Sequence, residues 1–179
     1  MIKTLVNLQD LRRRIYRKAK SDKTHRFWGI FVHVTKIETL REAYRIAKRN
    51  GGASGTDNLT FDKIEEAGLD KFLATIRNEL LSGSYQPLKY RKVEIPKGNG
   101  KVRKLQIPAI RERVVQGALK LILEAIFEAD FCPNSYGFRP KRSPQRALAE
   151  VRRSVLRRMT RVIDVDLMNF FDSIRHSIL

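Results

Sequence analysis

The chain of 179 residues has one cysteine, Cys132, and three histidines, His25, His33 and His176. No internal disulfide can form, and a cysteine–histidine metal cluster lacks enough ligands. That usage fits a reducing, cytosolic setting. No apolar run approaches the roughly 20 residues that span a bilayer, and Met1-Ile2-Lys3-Thr4-Leu5 is too short and soon too basic for a signal peptide. A membrane is therefore not the expected partner. Acids are also scarce, 19 against 37 Lys and Arg, for a net charge of +18. Such an excess exceeds what solubility needs and points to a polyanion, since each phosphate contact releases a counterion.

The charge is uneven. Residues 1–50 and 91–179 each carry +10, while residues 51–90 carry −2. Two basic regions thus flank a near-neutral segment suited to packing. Hydrophobic residues make up 42% of the chain, enough for a core. Helical spacing predicts helices over Leu8–Lys20, Thr39–Arg49, Asp70–Leu81 and Ile110–Phe127, and one starting at Ser143-Pro144. In the long helix Glu112, Gln116, Lys120, Glu124 and Glu128 form a polar stripe at spacing four. Asn50-Gly51-Gly52 ends the second helix, and a subdomain seam is expected near 50–57.

Val93–Pro108 reads as a hairpin around Gly98-Asn99-Gly100. A two-residue Asn99-Gly100 turn puts Lys97 and Arg103 on opposite faces. A three-residue Gly98–Gly100 loop puts them on one face, where both could meet a triphosphate. Arg161–Leu167 reads as a strand with Ile163, Val165 and Leu167 on one face and Asp164 and Asp166 on the other. Carboxylates mounted that way suit Mg²⁺, which takes oxygen ligands and lets phosphates complete its shell. Two solvated acids on an edge strand would look the same. Gly51–Asp57 lacks the Gly-Lys-Ser/Thr ending of a Walker loop and follows a helix, so its glycines serve tight turning or close approach. Ser135–Pro140 mixes aromatics with Arg139, a pattern that taken alone suits a packed turn somewhat better than base stacking.

In order along the chain stand Leu40-Arg41-Glu42-Ala43-Tyr44, Gly52–Asp57, Ser82–Pro87, Glu94–Lys97, Ile107-Pro108 with Arg111–Gln116, Ser135–Pro140, and Asp166–Asp172. Each is weak alone. As an ordered series over nearly the whole chain, it resembles the group II intron-encoded reverse transcriptases and maturases. Phe27-Trp28-Gly29 is similar to the N-terminal extension of some members.

The resemblance implies an α+β chain: mainly helical fingers with a β-hairpin, leading into the first strand of a right-hand polymerase palm. It implies a basic extension over 1–50, fingers over 51–160 and the start of the palm over 161–179. Asp166 is similar to the first catalytic aspartate, a Mg²⁺ ligand assisted by the Leu167 carbonyl. Phe171 matches the steric gate, and Lys97 and Arg103 match the cations that hold the dNTP triphosphate. Gly52, Ser54 and Gly55 match the loop that approaches template RNA, and Arg111, Tyr136 and Arg139 are further candidate RNA contacts. Implied partners are intron or template RNA, a DNA primer or target, and dNTP, in a bacterial cytoplasm. The family completes its metal site with Tyr-X-Asp-Asp, and this sequence has no adjacent Asp pair. The resemblance thus implies a fragment that grips nucleic acid without polymerising, with possible self-association through unpaired palm edges. A non-catalytic, intron-RNA-binding role is the alternative.

Overall fold

The computed structural model describes residues 7–96, 102–168, 170–175 and 177, with Phe171 and Asp172 described by backbone alone. The chain forms two compact units, Met1–Phe131 and Cys132–Leu179. The first contains α1 (Leu8–Ser21), α2 (Phe31–Val34), α3 (Ile37–Asn50), α4 (Phe61–Glu66), α5 (Leu69–Ser82), β1 (Arg91–Pro96), β2 (Val102–Ile107) and α6 (Ile110–Asp130). The second contains α7 (Pro144–Leu156) and the single turn α8 (Phe170–Ser173). The α+β character expected from the sequence is observed, with helix dominant and one antiparallel hairpin.

Helix α6 organises the first unit. Its buried residues include Ile110, Val114, Ala118 and Ile122, and it packs against α1, α2 and α3. Helix α3 answers with Leu40, Ala43 and Tyr44, spaced so that they share one face. A Cβ on Gly117 would stand 3.2 Å from that of Ala43, so small residues let these two helices approach. Helix α1 contributes Ile15 and Ala19, with Leu8 and Leu11 packed beside them. Arg12 ties it to Glu124 of α6 at 2.6 Å. Lys20 donates to the Ala129 carbonyl at 3.1 Å, placing a cation at the end of α6 where the helix dipole favours one. Leu73 and Ile76 of α5 close the core. Each such fully buried aliphatic side chain contributes about 1.5–3 kcal/mol.

Three sequence expectations change. The seam expected near 50–57 does not divide the core, because α3 before it packs against α5 after it; the chain divides into its two units between Phe131 and Cys132 instead. The polar stripe of α6 does not all face solvent: Gln116 and Lys120 are exposed, but Glu112 is buried. Arg161–Leu167 is not a strand. A β-strand exists through its ladder, and the hairpin strands are the only paired strands among the described residues. All seven residues are exposed, so the alternation of apolar and acidic side chains faces no packed surface.

No helix among the described residues is long and apolar enough to cross a membrane.

Candidate nucleic-acid interface

The loop between α3 and α4 is built onto the N-terminus of α6. Gly51 leaves α3 with φ +64, and Gly52 follows at φ +105, a conformation that residues with a β-carbon rarely adopt. Arg113, one turn into α6, fastens this bend. Its guanidinium donates to the Pro108 carbonyl at 3.1 Å, to Gly51 at 3.2 Å, and to Ala53. A Cβ on Gly52 would meet that guanidinium at 3.1 Å. Gly55 is buried against Ala109, the N-cap of α6, with no room for a side chain. Thr56 then donates its hydroxyl to the Lys89 carbonyl at 3.0 Å, beside the entry to β1. The loop, the base of the hairpin and the start of α6 therefore form one junction. Within it Gly52 is exposed, Ser54 is half-buried and Gly55 is buried.

The hairpin rises from that junction. Its pairs run from Arg91 opposite Ile107 to Pro96 opposite Val102. That register places Arg103 opposite Ile95, as the three-residue loop requires. Arg103 is exposed. Lys97 lies outside the described residues.

Arg111 sits at the same end of α6 but turns inward. It pairs with Glu79 of α5, and its guanidinium lies 4.9 Å from the centre of the Tyr85 ring. Beside it the buried Glu112 accepts hydrogen bonds from the Tyr85 hydroxyl at 3.3 Å and the Leu88 amide at 3.2 Å. Its other oxygen has no partner among the described residues. Burial and the neighbouring Glu112 carboxylate push the Tyr85 phenol up to about 12. These groups anchor residues 85–88, the approach to the hairpin. Sequence spacing had suggested neither the burial of Glu112 nor the inward turn of Arg111.

In the second unit Arg139 also serves the protein itself. It is buried and donates to the Cys132 carbonyl at 2.7 Å and to Ser135 at 2.8 Å, closing the turn that carries Ser135–Pro140. Tyr136 is half-buried, with the Arg142 guanidinium 5.4 Å from its ring centre. The aromatic that points outward is Phe138, fully exposed at φ +54. Phe138 lies within the quoted motif, but only the backbone geometry distinguishes it from Tyr136.

Asp166 and Leu167 are exposed, and Asp166 accepts a hydrogen bond from the Leu167 amide at 2.9 Å. The Asp166 carboxylate and the Leu167 carbonyl are oxygen donors of the kind Mg²⁺ takes. They do not make a closed set, and no group of three His, Cys, Asp or Glu that could hold a metal occurs among the described residues. The Phe171 side chain lies outside what the structure describes.

Residues 95–179 match the reverse transcriptase (RNA-dependent DNA polymerase) family. Protein YkfC of Escherichia coli K12 is 39% identical over 178 residues, covering 96% of this chain and 46% of that protein. Group II intron-encoded protein LtrA of Lactococcus lactis subsp. cremoris is 30% identical over 166 residues, 91% of this chain and 27% of LtrA. The putative COX1/OXI3 intron 2 protein of Saccharomyces cerevisiae is 33% identical over 148 residues, 82% of this chain and 17% of that protein. The chain spans less than half the length of these relatives. The ordered motifs, the helix-rich fold with its single hairpin and these matches make the chain a member of the group II intron reverse transcriptase and maturase family.

Proposed function

We propose that this chain supplies the nucleic-acid-gripping part of an RNA-directed DNA polymerase that acts in group II intron splicing and mobility. On this reading residues 1–50 are the basic extension, 51–160 the fingers and 161–179 the start of the palm. Template or intron RNA runs over the Gly52–Gly55 loop, and the DNA primer or target meets the palm side. Lys97 and Arg103 hold the dNTP triphosphate, and Phe171 guards against a 2′-hydroxyl. The setting is a bacterial cytoplasm. The observation that carries the reading is the junction at the start of α6, where Arg113 and Gly55 hold an exposed glycine bend against the base of a basic hairpin. Backbone exposed at such a bend lets a phosphate chain approach closely.

Arg111 and Arg139 take a different part in this reading. Both are committed to internal partners, so they shape the hairpin approach and the Ser135–Pro140 turn. Gly52, Ser54 and Tyr136 remain the RNA-facing candidates of the original set.

Asp166, with the Leu167 carbonyl, would be the chain's contribution to a Mg²⁺ site. Bound Mg²⁺ would stabilise charge on the attacking and leaving oxygens of nucleotidyl transfer. The described residues supply too few donors by themselves, so the 179-residue chain alone is expected to bind RNA without extending a primer. Primer extension by the isolated chain with Mg²⁺ and dNTPs would refute that expectation. The exposed, unpaired run at Arg161–Leu167 favours a second reading, an intron-RNA-binding role in which Asp166 is idle. A Mg²⁺ site that Asp166→Ala abolishes supports the polymerase reading. Mg²⁺ binding unchanged by that substitution supports the second.

A further inference from the structure

The Ser135–Pro140 turn is arranged around one outward-facing ring. Ser135 donates its amide to the Cys132 carbonyl at 3.0 Å, and the buried Arg139 guanidinium clamps Cys132 and Ser135 from inside. After the turn, Arg142 donates its amide back to the Arg139 carbonyl at 3.4 Å, and Arg146 donates to Lys141 at 3.1 Å. Held between these bonds, Phe138 takes φ +54, in the left-handed region disfavoured for bulky side chains. Its ring is fully exposed. A large apolar side chain in water, on a backbone that a glycine would adopt more easily, brings no stability to the turn. Strain of this kind, kept in place by its surroundings, marks sites that meet a ligand.

The surroundings define that ligand. Residues 132–161 carry nine Lys and Arg against one acid, Glu150, and Glu150 is paired with Arg153 at 2.7 Å. Lys141 and Arg142 follow Phe138 within four residues. An exposed ring among cations fits a strand that offers both a π-face and phosphates. A duplex hides its base faces, so the ligand is single-stranded.

We infer that Phe138 is a stacking platform for an unpaired base of single-stranded RNA, and that Arg139 is a positioning residue that holds the ring outward. This rests on the reading of the chain as RNA-gripping, and it places the base contact of this turn on Phe138 rather than on Tyr136.

The test uses the whole chain and a short single-stranded RNA of mixed sequence. Phe138→Ala should weaken binding by about 10-fold, as expected for losing one stacked base. The slope of log affinity against log salt should stay unchanged, because no phosphate contact is lost. Phe138→Gly should lower affinity equally while leaving the thermal midpoint unchanged or raised, since glycine relieves the positive φ. A purely structural role would lower that midpoint. Trp28 is the chain's one tryptophan and is exposed, so Trp28→Phe with Phe138→Trp gives a single reporter at the turn. Its fluorescence should be quenched by the single-stranded RNA, and much less by a duplex of the same sequence. If the unchanged chain binds RNA, equal affinity of Phe138→Ala together with an unquenched reporter would overturn the proposal and leave the RNA-gripping reading intact. If the unchanged chain binds no RNA, both fall.

Discussion

Replacing Gly55 with alanine tests the junction at its tightest point. The added Cβ would stand 2.5 Å from the Ala109 Cα and 2.7 Å from its Cβ and its nitrogen. It must retreat by about 0.9 Å to reach the 3.4 Å of ordinary contact. Neither side yields easily. Ala109 is fully buried, and its carbonyl accepts the first-turn hydrogen bond of α6 from Arg113 at 3.1 Å. On the other side, the loop is held by Arg113 on Gly51 and Ala53 and by Thr56 on Lys89. Overpacking of this kind costs about 1–3 kcal/mol. At roughly 4 °C per kcal/mol for a domain of this size, the thermal midpoint should fall by about 4–12 °C. Circular dichroism melting measures it. A second substitution, Ala109→Gly, removes only the Cβ contact and leaves the closer one at Cα, so it should not restore the midpoint. Because the strained loop would pull away from the hairpin base, RNA affinity should fall as well. A Gly55→Ala chain that melts within 1 °C of the original would refute the close approach and the junction built on it.

Two further predictions concern stability. Glu112→Ala leaves the Tyr85 hydroxyl and the Leu88 amide without their acceptor and should cost roughly 2–3 kcal/mol in urea unfolding; Glu112→Gln keeps an acceptor in place and should cost about 1 kcal/mol. Asp22 caps the end of α1, where hydrogen bonds from Thr24 and Lys18 hold its carboxyl near 2, below the usual 3.8. A depressed carboxylate stabilises the fold above about 3.8 and loses that contribution as pH falls towards 2. Carboxyl NMR titration should therefore find Asp22 still ionised at pH 3, and Asp22→Asn should reduce the pH dependence of stability between 2 and 4. A carboxyl that titrates near 3.8 would contradict the cap.

Much of the helical frame was legible in the sequence because burial leaves a period. Leu40, Ala43 and Tyr44 recur as a helix face must, and the end of α3 at Asn50 follows from the glycines after it. The hairpin was legible from its turn residues, and its observed pairs select one of two registers that the sequence left open. Partners distant in sequence were not legible. An arginine reads as a phosphate contact until its acid is located, and that of Arg111 is Glu79, 32 positions away. Glu112 falls on a polar stripe by spacing, and only the tertiary fold shows that Tyr85 and residue 88 cover it. The alternation in Arg161–Leu167 shows which faces a strand would have, but a strand also needs a neighbour to pair with. Phe138 was hidden for another reason: its exposure follows from a positive φ that no residue type announces.

The measurement closest to the central claim is the affinity of the 179-residue chain for single-stranded RNA as a function of salt. A chain of net charge +18 that engages about six phosphates should give a log–log slope of roughly −4, at ~0.7 per contact, and should prefer RNA over an uncharged polymer at every salt concentration. A slope near zero, or no RNA binding at physiological salt, would contradict the account.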